Sequence, residues 1–302
     1  MKMHADCLPC VVSQAVKTAG LVGIREKGGL MRHVFARLSQ ADFERVTTPE
    51  LFGDIFRIIK EETGEPDPYR ATRAYYNDMF LRRLPALREA VDRADDPFLE
   101  SIRCAIIGNI IDFGPAHNWL LEDIEARVDE LRRQPLHTDD SAALREAIPG
   151  AETLLYLGDN CGEICFDRLL IERIRALNPA CRVYFAVRGE PVVNDSIEED
   201  AYAVGMDAVA TIVSNGDHSM GTVLPKTSPA FRAIYREADV VIAKGQANYE
   251  CLSEEDGNVY FLLMTKCHVI ADDVGVPVGS MVCMSNERRK STRLNRMNGA
   301  SL

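Results

Sequence analysis

Apolar residues in the first half of the chain recur at the spacing of one face of a helix. The repeat extends from residue 11 to about residue 149 and is clear at Leu84, Leu87 and Val91. Segments that contain proline, at 66–68 and 95–97, interrupt the repeat as loops between helices do. The pattern therefore predicts a helical lobe over residues 1–150.

After residue 150 the apolar residues are grouped instead into five short runs rich in β-branched or aromatic side chains. These runs cover residues 153–157, 182–187, 208–213, 239–243 and 259–264. Amphipathic stretches separate them, so strands alternate with helices, as in an α/β fold whose mostly parallel sheet is covered on both faces. We expect the α/β domain to extend over residues 151–286.

The final segment, residues 287–302, differs in composition. It holds five basic residues and one acidic residue without apolar periodicity, which predicts a disordered basic tail. Because the whole 302-residue chain carries a net charge of −11, residues 1–286 alone carry −15. An acidic body of this kind is unsuited to wrapping nucleic acid or lying on an anionic membrane. The expected partners are small molecules or proteins, and no feature indicates an oligomeric state.

Two further features bear on location and redox state. The closest approach to a membrane span, the run 259–264, is far shorter than the ~20 residues that a spanning helix needs. The N-terminus has an acidic residue where a secretory signal has an apolar segment, so we expect a cytoplasmic protein. The chain has nine cysteines, and we expect most of them to be reduced and several to be buried.

Polar residues that can bind a metal follow two of the predicted strands. Ligands of open α/β sheets bind beyond the carboxyl ends of the strands, so residues at those ends are candidates for one site. Asp159 and Asn160 follow the first strand, and Asp195 follows the second. Two carboxylates and an amide are oxygen ligands that suit Mg²⁺ or Mn²⁺. The sequence therefore predicts a divalent metal site at this edge of the sheet.

The ends of the later strands add groups that can receive an anion. The glycine-rich turn from Ser214 to Gly221, which includes Asn215 and Gly216, can offer backbone N–H groups. Lys244 and Lys266, which follow the fourth and fifth strands, can neutralise charge on a phosphoryl group during transfer. A metal site, an anion-binding turn and two lysines together predict phosphoryl chemistry, with Asp159, Lys244 and Lys266 in catalytic roles.

Cys7 and Cys10 form a CxxC pair near the start of the chain, with His4 three residues before it. Such a pair can supply half of a zinc site or take part in thiol–disulfide exchange. No second CxxC follows, so a metal ion would need two further ligands from elsewhere. A second metal at Cys7 and Cys10, redox exchange and simple packing are the alternatives.

Taken together, these motifs resemble the domain-of-unknown-function-89 family of metal-dependent, damage-control phosphatases, also described as acidic-residue-methyltransferase-like proteins. The motifs that carry the resemblance lie at residues 7–10, 108–112, 159–163, 194–195, 244–250 and 265–266. The CxxC pair is similar to that of the prokaryotic branch. The resemblance implies a Rossmann-like α/β/α sandwich with an N-terminal helical lobe. It also implies a divalent metal, Mg²⁺, Mn²⁺, Co²⁺ or Ni²⁺, held by Asp159, Asn160 and Asp195.

The resemblance further implies which residues contact the substrate. The family's reaction is hydrolysis of phosphate monoesters, commonly sugar phosphates or damaged phosphometabolites, so the implied partner is a small phosphorylated metabolite. The implied contacts come from the helical lobe, from the turn beside the metal, and from the ends of the fourth and fifth strands. They are Asn109, Asp112, Glu163, Gln246, Asn248, Glu250 and Lys266.

The expected reaction is attack of a metal-activated water on a phosphate monoester. Asp159 is expected to be a metal ligand rather than a nucleophile, because its neighbour Asn160 is a ligand as well. One alternative is an S-adenosylmethionine-dependent methyltransferase acting on protein carboxylates, although the turn 158–162 lacks the G-x-G-x-x-G pattern of a dinucleotide site. The other is a non-enzymatic zinc- or phosphometabolite-binding module.

Overall fold

The computed structural model describes residues 1–108, 130 and 132–299, with side chains described as far as residue 292. Residues 1–108 form six α-helices. They are α1 (Leu8–Leu21), α2 (Gly28–Ser39), α3 (Thr48–Thr63), α4 (Arg70–Leu81), α5 (Leu84–Asp92) and α6 (Pro97–Ile107). Thr47 and Asp96 cap α3 and α6 by accepting hydrogen bonds from the N–H groups of Glu50 and Leu99.

The second part of the chain builds a seven-stranded sheet. Its strands are β1 (Thr138–Asp139), β2 (Thr153–Leu157), β3 (Arg182–Val187), β4 (Thr211–Ser214), β5 (Val240–Lys244), β6 (Val259–Met264) and β7 (Met281–Ser285). They lie in the order β1-β7-β6-β5-β2-β3-β4. Every neighbouring pair is parallel except β6 and β7, which are antiparallel.

Seven further α-helices connect or flank these strands in the described part of the chain. They are α7 (Ser141–Ala147), α8 (Glu163–Leu177), α9 (Glu198–Ala203), α10 (Pro229–Glu237), α11 (Gly245–Leu252), α12 (His268–Val274) and α13 (Asn286–Gly299). Helices cover both faces of a mostly parallel sheet, which confirms the α/β class expected from the sequence. None of the described helices has the length and apolar composition needed to cross a membrane.

Two apolar cores, one on each face of the sheet, follow from the alternation of side chains along the strands. On β2, Leu154 and Tyr156 belong to the core formed with α4, α5, α6 and α8, whereas Leu155 and Leu157 belong to the core formed with α10, α11 and α12. All four side chains are fully buried. This burial on both faces explains why the strands have continuous apolar runs rather than alternating ones.

The helices α1, α2 and α3 form a third apolar cluster that also contains Val192 and Val193 from the segment after β3. The core that contains α5 and α6 continues into α8 and the sheet, and β1 joins the sheet although it precedes residue 150. The sequence pattern therefore changes near residue 150, the predicted boundary. The apolar core nevertheless continues across this boundary. That residues 1–150 and 151–286 are two separate domains remains a prediction.

Three features of the fold differ from the sequence-based expectation. The third predicted strand begins later, at Thr211, because Met206–Ala208 forms a 3₁₀ turn. The antiparallel strand β7 and the two-residue strand β1 were not expected. The segment expected to be a disordered tail forms α13 as far as Gly299.

Contacts distant in sequence anchor the start of α13. Arg288 Nε donates to Asp140 Oδ1 at 2.6 Å, and Arg289 Nη1 donates to the Ser253 carbonyl at 2.6 Å. These partners lie more than thirty residues away, so local composition does not indicate them.

Candidate metal centre and its cavity

The candidate site lies where the order of the strands reverses. From β2 the chain continues outward to β3 and β4, and it then returns to the other side of β2 to form β5 and β6. This reversal opens a crevice at the carboxyl ends of β2 and β5, which is where open α/β sheets bind ligands. Asp159 follows β2 by two residues, and Lys244 is the last residue of β5.

The structure brings the three predicted metal ligands together. Asn160 and Asp195 face one another in an isolated antiparallel bridge between the turn after β2 and the segment after β3. The Ser196 N–H donates to the Asp159 carbonyl at 2.8 Å, and the Cys161 N–H donates to the Asn194 carbonyl at 2.9 Å. These backbone hydrogen bonds fix the distance between two segments that are 35 residues apart.

All three side chains are buried, with exposed fractions of 5% for Asp159, 8% for Asn160 and 0% for Asp195. Burial, together with the negative charges of Asp195 and Glu163, raises the pKa of Asp159. Burial also raises the pKa of Asp195, although the guanidinium of Arg188 opposes this. Arg188 Nε donates to Asp195 Oδ2 at 2.7 Å. Clustered, buried carboxylates of this kind are stabilised in their charged form by a cation.

The hydrogen bonds of the cluster leave oxygen atoms available for such a cation. Asn160 Nδ2 donates to Asp159 Oδ2 at 2.8 Å and to Glu163 Oε2 at 3.2 Å, which leaves Asn160 Oδ1 as the amide atom able to bind a metal. Asp195 Oδ1 is buried and has no hydrogen-bond partner. Two carboxylates and one amide oxygen fit a hard divalent cation such as Mg²⁺ or Mn²⁺.

The described residues contain no group of three His, Cys, Asp or Glu side chains arranged to hold a metal, at this site or elsewhere. The candidate centre therefore depends on the amide of Asn160 as its third ligand. Cys7 and Cys10 likewise belong to no such group in the described part of the chain, so the two further ligands that a metal ion would need are not found beside them. The second metal expected at that pair stays a hypothesis.

Lys244 and Glu163 support the metal ligands instead of facing the cavity. Both side chains are fully buried. The Lys244 ammonium donates to Glu163 Oε1, to Asp167 Oδ1 at 2.6 Å and to the Ala105 carbonyl at 2.7 Å. The sequence suggested that Lys244 neutralises a phosphoryl group and that Glu163 contacts substrate. The structure differs because three protein oxygens already occupy the ammonium.

The side chain of Asn248 is also hydrogen-bonded to other groups of the protein. It is fully buried; Nδ2 donates to the carbonyls of Lys244 at 2.7 Å and Gly158 at 3.2 Å, and Oδ1 accepts from Thr222 Oγ1 at 2.8 Å. These bonds tie the ends of β2 and β5 together. The substrate contact expected of Asn248 is therefore replaced by a role in holding the crevice in shape.

The turn at residues 214–216 does not present an anion-binding nest. The N–H of Asn215 donates to the Val187 carbonyl, that of Gly216 to Ser214 Oγ, and that of Asp217 to Asn215 Oδ1. The backbone N–H groups of residues 215–217 are thus already used within the protein. Gly216 has a φ of +74°, and a Cβ there would lie 2.9 Å from Ser228 Cβ, so packing also accounts for the glycine.

A cavity of about 520 Å³ opens beside the candidate metal ligands. Asp159, Asn160, Gln246, Glu250 and Lys266 all line it, so three of the residues expected to contact substrate are in place. Lys266 is exposed, and its backbone N–H donates to Gln246 Oε1 at 2.5 Å. Burial raises the pKa of Glu250 to about 7.

Asn109 and Asp112, expected to reach the site from the helical lobe, lie outside the residues that the structure describes. The opposite wall of the cavity comes from the start of the chain instead. Cys7, Cys10, Gln14 and Lys17 lie along one side of α1 and of the turn before it, and all four line the cavity.

Sequence reasoning missed two residues of the centre. Arg188, which is 2% exposed, holds Asp195 and approaches Asp159 Oδ1 at 3.7 Å. Asp167 shares the Lys244 ammonium with Glu163 and accepts a hydrogen bond from the Tyr156 hydroxyl at 2.7 Å. Signals were present, because Arg188 directly follows β3 and Asp167 lies one helical turn after Glu163.

Fold and site define a doubly wound α/β protein with a carboxylate-rich candidate metal centre at the reversal point of its sheet. Residues 3–282 match the damage-control phosphatase ARMT1-like domain, and the chain belongs to this family.

Similar proteins come from archaea. The chain is 33% identical over 293 residues to "Damage-control phosphatase PH1575" of Pyrococcus horikoshii, covering 95% of this chain and 99% of that protein. It is 33% identical over 290 residues to a damage-control phosphatase of Archaeoglobus fulgidus, covering 93% and 98% of the two chains. A crystal structure of a DUF89 family protein from P. horikoshii superposes with a TM-score of 0.88 at 31% identity, covering 95% of this chain and 99% of the other.

Proposed function

We propose that this protein is a metal-dependent phosphatase that hydrolyses small phosphate monoesters. The observation that carries the proposal is the buried set Asp159, Asn160 and Asp195 beside a cavity, in which Asp195 Oδ1 has no hydrogen-bond partner. The two relatives named as damage-control phosphatases support a phosphorylated substrate. Sugar phosphates and damaged phosphometabolites are the substrate class that we propose.

In this proposal the three ligands hold Mg²⁺, Mn²⁺, Co²⁺ or Ni²⁺. Such an ion, when bound, polarises a phosphoryl group and lowers the pKa of an attacking water. Arg188 orients Asp195 through the 2.7 Å hydrogen bond to Oδ2, which leaves Oδ1 to face the ion. Lys266, exposed in the cavity wall, neutralises charge on the phosphoryl group as it is transferred.

Water, and not Asp159, is the nucleophile that we propose. Asp159 Oδ2 accepts a hydrogen bond from Asn160 Nδ2 at 2.8 Å, and its carboxylate is also needed as a ligand. An aspartyl-phosphate route would remove that ligand during the reaction. Rapid acid quench with a ³²P-labelled substrate tests this step, because covalently labelled protein would contradict the proposal and labelled inorganic phosphate alone would support it.

The proposed function is tested by hydrolysis of p-nitrophenyl phosphate with Mg²⁺, Mn²⁺, Co²⁺ or Ni²⁺ supplied separately. We expect turnover that a chelator abolishes and that Asp159→Ala lowers by at least about 100-fold, since changes in outer-shell partners alone cost about 10–100-fold. Asp207→Ala is the matched control, because Asp207 is exposed and lies away from the cavity lining. It should retain the wild-type rate.

Four results would contradict the proposal. The first two are turnover that is absent with every metal and turnover that Asp159→Ala leaves unaffected. The third is transfer of labelled methyl groups from S-adenosylmethionine to protein carboxylates, which would favour the methyltransferase. The fourth is tight binding of a phosphometabolite without hydrolysis, which would favour the binding module.

A further inference from the structure

The proposed phosphatase reaction leaves one motif without a role, the Cys7 and Cys10 pair. Both side chains line the same cavity as Asp159 and Asn160. Cys7 is 9% exposed and Cys10 is exposed. All nine cysteines lie in the described part of the chain, and none forms a disulfide. The pair therefore places two thiols of unequal accessibility in the wall of the candidate active site.

The backbone brings the two thiols within reach of one another. Cys7 precedes α1 with helical backbone angles (φ −80°, ψ −19°), and Cys10 lies in the first turn of that helix. Residues three apart on a helix have Cβ atoms about 5–6 Å apart, whereas a disulfide needs about 3.5–4.5 Å. Closing the bond thus requires the first turn of α1 to tighten by about 1–2 Å.

The surroundings favour bond formation over metal binding. In the described residues no third His, Cys, Asp or Glu completes a metal-binding group with the pair. Cys267, another thiol in the cavity wall, accepts a hydrogen bond through Sγ from Gln246 Nε2 at 3.9 Å. A CxxC pair that belongs to no metal-binding group of the described residues is the arrangement used in thiol–disulfide chemistry.

We propose that Cys7 and Cys10 form a reversible disulfide that controls access to the candidate active site. The oxidant is a peroxide. Cys10, the exposed thiol, attacks one peroxide oxygen as a thiolate, which breaks the O–O bond and gives a sulfenic acid and water. The Cys7 sulfur then attacks the Cys10 sulfur and releases a second water. Two thiols thereby lose two protons and two electrons in total, and one hydrogen peroxide becomes two waters.

The structure assigns different roles to the two thiols. Burial raises the pKa of Cys7, so Cys7 reacts more slowly with external oxidants and serves as the resolving thiol. A dithiol reductant reverses the reaction by exchange through a mixed disulfide.

Oxidation changes the cavity because the first turn of α1 is connected to the opposite wall. Asp6, directly before Cys7, pairs through Oδ2 with His268 Nε2 at 3.0 Å, and His268 begins α12. Tightening the turn displaces this pair and the cavity wall that faces Asp159. Misplacement of a reacting group by ~1 Å can cost on the order of 100-fold in rate. Because the displaced wall does not contain the proposed metal ligands, we expect a smaller effect, a fall in kcat/KM of about tenfold. This consequence rests on the proposed phosphatase function.

The test titrates the full-length protein with hydrogen peroxide and follows two readouts. Mass spectrometry of alkylated peptides reports the disulfide, and metal-dependent p-nitrophenyl phosphate hydrolysis reports activity relative to each variant's reduced form. We expect a Cys7–Cys10 bond, an activity loss of about tenfold and recovery with a dithiol. Cys10→Ser should resist inactivation, whereas Cys267→Ser, which removes a thiol from the same cavity, should respond like the wild type.

Several results would overturn the proposal. They are a bond between Cys7 and Cys267, a disulfide that forms without loss of activity, and a stoichiometric zinc ion that protects both thiols from alkylation. The mass readout does not depend on turnover. An inactive reduced protein that still forms the bond would therefore refute the proposed phosphatase function and not the modification site.

Discussion

Lys244 and Lys266 end neighbouring strands and look equivalent in sequence, but their surroundings are opposite. Lys244 has a fully buried ammonium held by two carboxylates and a carbonyl, whereas Lys266 is exposed in the cavity wall. One lysine therefore contributes to stability and the other is available to a substrate. The difference depends on α6 and α8 packing over β5, which no local sequence pattern encodes.

We expect Lys244→Met to lower the free energy of unfolding by about 3–5 kcal/mol, the usual cost of removing one partner from a buried ion pair. Glu163 and Asp167 would be left as buried carboxylates without their cation. Urea unfolding followed by circular dichroism measures this change.

The matched variant is Lys266→Met. It should change the free energy of unfolding by less than about 0.5 kcal/mol, as exposed substitutions generally do, while raising KM or lowering kcat for phosphate monoesters. Equal effects of the two variants on stability would contradict the assignment.

Glu163 holds the side chain of Asn160, which we propose as a metal ligand. Its Oε2 accepts from Asn160 Nδ2 at 3.2 Å, so Glu163→Gln weakens the bond that turns Asn160 Oδ1 towards the ion. We expect metal affinity to fall about 10–100-fold, as for other outer-shell partners. Calorimetric titration with Mn²⁺ measures it. Glu172→Gln, on the same helix but paired with Arg88, should bind Mn²⁺ normally; a similar loss there would argue against a specific role for Glu163.

At the residue scale, the sequence was sufficient to group Asp159, Asn160 and Asp195, because strand ends of one sheet converge. The sequence did not show that Lys244 and Asn248 are buried and bonded within the protein. Their residue types suit ligand contact as well as internal support, and only tertiary packing decides between the two.

At the scale of elements, the carboxylate of Asp54 connects α3 to neighbouring segments. Asp54, which is 7% exposed, accepts from Arg37 of α2 at 3.0 Å and lies 3.6–3.7 Å from Arg57, His218 and Lys226. Burial alone would raise the pKa of Asp54, but the nearby His218 side chain, the hydrogen bonds from Arg37 and the charge of Lys226 outweigh it and lower the pKa.

The direction of this shift predicts how stability depends on pH. A carboxyl with a lowered pKa in the folded state stabilises the protein above its unfolded pKa of about 3.9, and the contribution disappears as pH falls through the folded value. Wild type should exceed Asp54→Asn in unfolding free energy at pH 6, and the difference should shrink below about pH 4. Urea unfolding at pH 6 and pH 3 measures the difference. Asp95→Asn, at an exposed position, should show little difference at either pH, and an Asp54 effect independent of pH would contradict this account.

Element boundaries were predictable where the signal was local. β2, β3 and β6 coincide with their apolar runs. β7 was missed because Met281–Ser285 is rich in sulfur side chains rather than β-branched ones and pairs antiparallel with β6. The start of α13 was missed because its partners, Asp140 and Ser253, are distant in sequence.

At the scale of the whole molecule, one apolar core contains residues from both sides of the predicted domain boundary near residue 150. Side chains from α5 and α6 pack in the same cluster as α8 and β2. We expect one cooperative unfolding transition, with equal calorimetric and van't Hoff enthalpies. Differential scanning calorimetry of the full chain measures both, and two resolved transitions would instead show that the helical lobe unfolds by itself.

The structure also explains part of the acidic composition. Part of the negative surplus lies in buried carboxylates at the strand ends, where Arg188 and Lys244 compensate only some of the charge. We propose that a divalent cation compensates the rest of this charge.

The most direct measurement is the position of Mn²⁺ in crystals of the protein, located by anomalous scattering. We expect one ion bound by Asp159, Asn160 and Asp195, with metal–oxygen distances slightly longer than the roughly 2.0–2.1 Å typical of Mg²⁺. We also expect the ion to be lost from Asp195→Asn crystals grown under the same conditions. An ion bound elsewhere, including at Cys7 and Cys10, or full occupancy in Asp195→Asn, would contradict the account.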